Sequence, residues 1–519
     1  MKLHFAKVLV VALLLTQAVF PQERIDEGMV ARIKTEGFQN SKAAETIGFL
    51  TDVFGPRLTG SPSLRAAQNW TLDTMSAWGL QNSRLEPWGS IGHGWSIDRF
   101  SAEMTAPTYD RLNAYPLAWS PGTAGVVSGT PIIASIRSKA DFEKYRGKLK
   151  NAILFRGLVT PPTAESRTAD QFKRFSDDEL AKAHAETNPA ASGINGGETT
   201  TYWDEEDSWQ AGLAAQADLA KFLKDEGVAA VVQPSRLPNG VLSVSGHYQF
   251  DPALNVPTFV LAREQYARIQ RLTERKIPVK VELSLSVKTE PSVEGHNIIA
   301  EITGTDPKLK DEIVLLGGHF DSWHAGTGAA DNAAGCVALM EAMRILRAVN
   351  AKPRRTIRIA LWDGEEQSYF GSVGYVKTHY GDPLTLKLKP GHQKLSAYFN
   401  LDNGSGRIRG IFLQGNEAAR PIFESYFGPF NYLGAKTISV LNTGGTDHMV
   451  FEAVGLPGFQ FIQDPLDYNS RVHHTNLDVL ESVSEVDVKA NAVIIASVAY
   501  HTAMRDEKIP REAMPRSKQ

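Results

Sequence analysis

The chain has 519 residues, 42% hydrophobic and 22% charged, close to a globular average, which excludes wholesale disorder and leaves room for about two to four domains. The formal net charge is −3, so no global basic field exists to hold nucleic acid or an anionic membrane. A single cysteine, Cys336, excludes an intramolecular disulfide and a cysteine-rich zinc site, so any transition-metal site has to be built from His, Asp and Glu.

Residues 1–22 read as a cleaved export signal. Lys2 and Lys7 give a basic start, residues 8–15 form an unbroken apolar run, and Thr16-Gln17-Ala18 resembles a small-residue cleavage site. The run is too short to cross a bilayer, which takes about 20 apolar residues. No cysteine follows it closely and no second run of that kind appears. The expectation is an exported protein, periplasmic or secreted, with no stable membrane insertion.

Residues 26–109 start helical and become strand-like. The loop Gly55-Pro56-Arg57-Leu58-Thr59-Gly60-Ser61-Pro62 precedes a helical pattern over 63–80, with apolar Leu64, Ala67, Leu72, Met75 and Leu80. Residues 110–290 carry short β-rich runs near 125–127, 131–134, 152–155, 229–232, 258–260 and 279–287. Helical patterns at 218–226 and 264–274 lie between them, which predicts a separate, smaller α+β domain. Within it, 160–210 is polar, with Gly193-Ile194-Asn195-Gly196-Gly197 and the acidic Asp204-Glu205-Glu206-Asp207. That stretch reads as a flexible surface loop in preference to a lid over substrate.

Residues 291–505 alternate strand and helix, with strands predicted at 313–316, 356–361, 396–401 and 458–462 and helices at 331–348, 417–427 and 484–503. This predicts an α/β domain with a mostly parallel central sheet flanked by helices; residues 506–519 form a polar tail. Such sheets place ligands at the carboxyl ends of their strands, and polar clusters fall there. His319 ends the first strand and Asp321 can accept its second ring N–H. Asp331 opens the next helix, where taken alone it would be an N-cap. Glu365-Glu366 follow the second strand, where one carboxylate can bind metal while the other stays free as a base. Asp402 follows the third, and His473-His474 lie near the C-terminus, with Asp478 spaced to support His474. Asp447-His448 reads first as a helix start. Together His319, Asp331, Glu366, Asp402 and His474 suit two zinc ions sharing a carboxylate.

The order His-x-Asp, Asp-Asn-x-x-Gly, Glu-Glu, Asp, His-Thr resembles the co-catalytic zinc exopeptidase family. The segments Gly55 to Ser61 and Gly318-His319-Phe320-Asp321-Ser322-Trp323 are most similar to its carboxypeptidase Q branch. The resemblance implies the zinc exopeptidase fold, with residues 110–290 as a protease-associated domain. It implies two Zn2+ ions bridged by Asp331, one completed by His319 and Asp402, the other by Glu366 and His474. Glu365 is then the general base acting on a metal-bound hydroxide, and Asp321 orients His319. It also implies a cis peptide at Asp331-Asn332 and a short-peptide substrate, and a homodimer is compatible with it. His324 departs from the acidic residue of the carboxypeptidase Q branch, and His473 stands where some relatives have a tyrosine. Aminopeptidase and carboxypeptidase polarity both stay open, as do a receptor-like or glutaminyl-cyclase-like member of the fold.

Overall fold

A computed structural model describes residues 23–160, 173–194, 201–248 and 255–515. The signal read at 1–22 and part of the glycine-rich segment at 193–197 lie outside the described residues.

The apolar strands assemble into one ten-stranded sheet. At its centre Thr356–Trp362, Ile313–His319, Leu395–Asn400 and Gly458–Gln463 run parallel, in that spatial order. Ile313–His319 is a continuous apolar run because it is covered on both faces. One cover is the helix Ala334–Ala348, which packs against the almost wholly buried helix Glu485–Met504. The outer strands change direction: Ile408–Phe412 is antiparallel to Gly458–Gln463, and Lys280–Ile302 is antiparallel to Thr356–Trp362. The sheet is therefore mixed, and the expected mostly parallel order holds only at the centre. Flanking strands that return without a crossover helix have to run antiparallel.

Two long strands carry the chain away from this core. Gln81–Ala106 and Lys280–Ile302 pair antiparallel from Gln81–Glu301 to Ala106–Lys280. The ribbon runs unbroken past residue 290. Its far half contributes Ala102, Met104, Val281, Leu283 and Leu285 to a second core with Phe155, Val232, Phe259 and Tyr266. There a five-stranded sheet stands in the order Ala114–Pro116, Thr258–Leu261, Ala230–Pro234, Ile153–Arg156, Pro131–Ala134.

The stretch 160–210 is not a simple loop. Its described part holds the helix Asp177–Ala185, and the helix Tyr202–Asp225 begins within it. Both open with capping boxes, Ser176 with Glu179 and Thr201 with Asp204. The first helix packs Leu180 and Ala183 against Phe412, Leu441 and Ile462. Arg174 pairs with the buried carboxylates of Asp464 and Asp487 at 2.8 and 2.7 Å. Polar composition hides these helices, because few of their residues face a core.

Candidate metal centre

His319, Glu365, Glu366 and Asp402 sit at or just beyond a strand end. His319 closes its strand, and Glu365 and Glu366 stand in the short turn Glu365–Gln367 after Thr356–Trp362. Asp402 follows Leu395–Asn400 by two residues. Asp331 lies in the irregular turn Ala329–Ala333 that leads into the helix Ala334–Ala348, and its peptide bond to Asn332 is cis. His474 is in the loop after the turn Tyr468–Val472.

These separate segments converge. His319 Nε2 lies 3.2 Å from Asp331 Oδ1 and 3.3 Å from Asp402 Oδ1. On the other side, His474 Nε2 lies 2.9 Å from Glu366 Oε2 and 3.5 Å from Asp331 Oδ2. Asp331 thus turns one oxygen to each group. His473 Nε2 also approaches Asp331 Oδ2, at 3.9 Å, so it belongs to the same rim. Two sets have donor atoms close enough for a shared cation: His319, Asp331 and Asp402, and Asp331, His473 and His474.

Burial makes this cluster electrostatically incomplete by itself. Asp331, Glu366 and Asp402 each keep a buried oxygen that accepts no hydrogen bond: Oδ2, Oε1 and Oδ1. Burial, reinforced by neighbouring carboxylates, holds Glu365 and Glu366 well above the usual carboxylate range, although His319 opposes it. Burial likewise pushes Asp447 up to about 8. Burial would lower His319, but Asp402, Glu365 and other acidic neighbours raise it well above an ordinary imidazole. Burial lowers His474; Asp331 opposes this, and the charge of Arg236 adds to the lowering. Concentrated buried negative charge calls for cations, and imidazole with carboxylate donors is a set that zinc accepts.

Two pairings expected from spacing are replaced. The group nearest His319 Nδ1 is the Asp321 backbone carbonyl at 3.1 Å, with the carboxylate at 3.7 Å. The Asp321 carboxylate instead accepts the N–H of Glu365 at 3.2 Å, the N–H of Glu366 at 3.3 Å and the Thr59 hydroxyl at 2.9 Å. Asp478 accepts the N–H of Ala330 at 2.6 Å and so supports the Asp331 turn, not His474. The two-residue and four-residue spacings fix proximity but not which atom turns inward.

Other residues gain roles that spacing does not suggest. Arg57, fully buried, donates to the carbonyls of Leu50, Phe320, Thr327 and Gly328 and so fixes the loop between His319 and Asp331. The turn formers around Arg57 and Thr59, and the resemblance of the Gly55 to Ser61 segment, are its signals in the sequence. His324 is buried; its Nε2 lies 2.8 Å from the Pro116 carbonyl and its ring packs against Trp95 and Tyr115. Asp447 stands at the N-terminal cap position of the short helix His448–Glu452, as expected, and buried His448 lies 2.9 Å from both Gln414 Nε2 and the Thr443 carbonyl.

Residues 297–499, which contain every candidate ligand, match the model of Peptidase family M28. The chain is 26% identical to carboxypeptidase Q of Pongo abelii over 489 residues, 93% of this chain and 89% of that protein. Among solved structures, a Peptidase M28 precursor from Shewanella amazonensis shares the fold with a TM-score of 0.66 at 22% identity. That match covers 94% of this chain and 99% of the other. The zinc aminopeptidase BSAP from Bacillus subtilis shares it with a TM-score of 0.55 at 18% identity, covering 89% and 95%. The family match and the carboxypeptidase Q relatives support a metal-dependent exopeptidase. The likeness to Peptidase family M28 covers residues 297–499, the stretch that carries every candidate ligand.

Proposed function

We propose that the chain is an exported di-zinc exopeptidase that hydrolyses terminal bonds of short peptides. The observation that carries this reading is Asp331, whose two oxygens face His319 with Asp402 on one side and His474 with Glu366 on the other. In this reading Asp331 would be shared between two zinc ions, His319 and Asp402 would help hold one, and Glu366 and His474 the other. When bound, zinc supplies Lewis acidity toward a carbonyl oxygen and makes a water acidic enough to react near neutral pH.

The chain's own residues do the rest. Glu365 takes the proton of the attacking water and delivers it to the leaving amine. Its burial supports that role, because a carboxylate raised toward neutrality both accepts and returns a proton readily. Asp321 holds the N–H groups of Glu365 and Glu366 and so fixes the turn that carries both. Residues 110–290 form a protease-associated insert in this reading, and the apolar run at 8–15 supports export. Among the described residues no helix is long and apolar enough to cross a membrane.

The test is hydrolysis of a free dipeptide by purified protein, with elemental analysis. Two zinc ions per chain are expected, with activity lost to a chelator and restored by zinc. A metal-free preparation that retains full turnover would overturn the proposal.

A further inference from the structure

The insert touches the metal-centre loop through one short pairing. Ser243 forms an antiparallel bridge with Thr475. Beside it, Val244 N–H donates to the His474 carbonyl at 3.0 Å, and Asn476 N–H donates to the Leu242 carbonyl at 3.1 Å. Asn476 Oδ1 accepts the N–H of Leu242 at 2.7 Å. His474 itself has a φ of +57°, an uncommon conformation for a side chain other than glycine, and this pairing supports it.

The insert's side of the pairing is a stitched turn. Buried Ser235 donates its hydroxyl to the Val241 carbonyl at 2.7 Å and accepts the N–H groups of Leu237 at 3.3 Å and Ser243 at 3.1 Å. Arg236 projects from it, exposed, and its Nε donates to Ser243 Oγ at 2.7 Å. Among the described residues its guanidinium makes no ion pair. One edge of the cation is thus fixed while its terminal nitrogens stay outside any ion pair among the described residues.

The acidic candidate on the other side is differently placed. Glu205, also from the insert, accepts the Tyr369 hydroxyl on Oε2 and the Gly445 N–H on Oε1 at 3.0 Å. Its neighbour Glu206 accepts the Ser368 hydroxyl at 2.6 Å. These carboxylates act as struts between the insert and the catalytic region. The insert therefore offers a presented cation and an engaged anion, which favours an anionic substrate end.

We propose that Arg236 binds the free α-carboxylate of the substrate, giving the enzyme carboxypeptidase or dipeptidase polarity. This rests on the exopeptidase reading above. A guanidinium fork matches a carboxylate with two parallel hydrogen bonds. In a dipeptide the terminal carboxylate lies only about 4 Å, one residue step, beyond the scissile bond. A cation that reads it therefore has to stand near the metal centre, and Arg236 is bonded to Ser243, whose bridge partner Thr475 follows His474.

The test compares zinc-loaded wild type with Arg236→Ala and Arg236→Lys on leucylleucine, free and C-terminally amidated. The wild type is expected to favour the free acid in kcat/KM by at least about tenfold, mainly through KM. Arg236→Ala is expected to bring that ratio to about one, and Arg236→Lys to restore part of it. Calorimetric titration with leucine and leucinamide gives the same comparison without turnover, and zinc content and melting temperature are measured in parallel. No preference for the acid in wild type, or a ratio unchanged in Arg236→Ala, overturns the proposal. A protein that cleaves neither peptide yet binds leucine over leucinamide through Arg236 would sink the exopeptidase reading and leave the carboxylate site standing.

Discussion

The Asp321 carboxylate receives the backbone N–H of Glu365 at 3.2 Å, linking the loop after one parallel strand to the turn after its neighbour. The proposed base is therefore positioned from the segment that bears His319. Asp321→Ala leaves two buried N–H groups and the Thr59 hydroxyl without their acceptor. Zinc affinity or kcat/KM is expected to fall about 10- to 100-fold, with Asp321→Asn intermediate. Metal titration and steady-state kinetics check it; wild-type values in Asp321→Ala would show the link to be idle.

Glu365→Gln removes the proton carrier while keeping size and polarity. Turnover is expected to drop about 100- to 10,000-fold with zinc content unchanged. Elemental analysis beside single-substrate kinetics separates the base from a ligand, since loss of metal would move Glu365 into the ligand set.

Asp331→Ala removes the shared carboxylate, so zinc per chain is expected to fall from two toward none. Zinc should also raise the melting temperature of the wild type and not of the variant. Ligand at about 100-fold above its dissociation constant stabilises by roughly 2.7 kcal/mol. Calorimetric scans with and without zinc read both proteins, and equal zinc-induced shifts would count against a bridging role.

Much of the candidate metal centre is legible in the amino-acid order. His319, Glu365, Glu366 and Asp402 stand out because apolar runs such as 313–316 mark buried parallel strands, and ligands gather at their ends. Asp331 and His474 gain their roles through resemblance, since a carboxylate opening a helix and a histidine on a loop have no periodic signature. The partners of Asp321 and Asp478 differ from expectation because spacing says nothing about which atom turns inward. Hydrophobic periodicity marks only the end of the helix Tyr202–Asp225, although Thr201 and Asp204 stand at capping-box spacing. Arg57 is legible only as part of a turn and of the resembling Gly55 to Ser61 segment, because its acceptors are mostly carbonyls remote in sequence.

Arg57 holds the 320–328 loop through carbonyls of Phe320, Thr327 and Gly328. Arg57→Met is expected to cost on the order of 3 kcal/mol, because buried acceptors lose a charged donor. The urea midpoint should fall with little change in slope. An unchanged midpoint would mean that the loop is held by its other contacts.

His324 and His448 are each lowered by burial to about 4, so both are neutral in the folded chain near pH 7. Between about pH 6.5 and 4 the unfolded chain takes up protons that the folded chain refuses, so stability falls as pH falls through that window. From 6.5 to about 4, each histidine accounts for roughly 3 kcal/mol by the bottom of the window. His324→Phe is expected to flatten that acid slope. Denaturation midpoints at pH 7, 5.5 and 4.5 give the comparison, and parallel slopes in the two proteins would count against a neutral buried His324.

The ribbon formed by Gln81–Ala106 and Lys280–Ile302 belongs to the main sheet at one end and to the second core at the other. No linker separates the two bodies, so neither can melt without stripping partners from strands that the other still needs. Heating should therefore produce one cooperative endotherm, and grafting the five-stranded sheet onto another scaffold would require its half of the girder to travel with it.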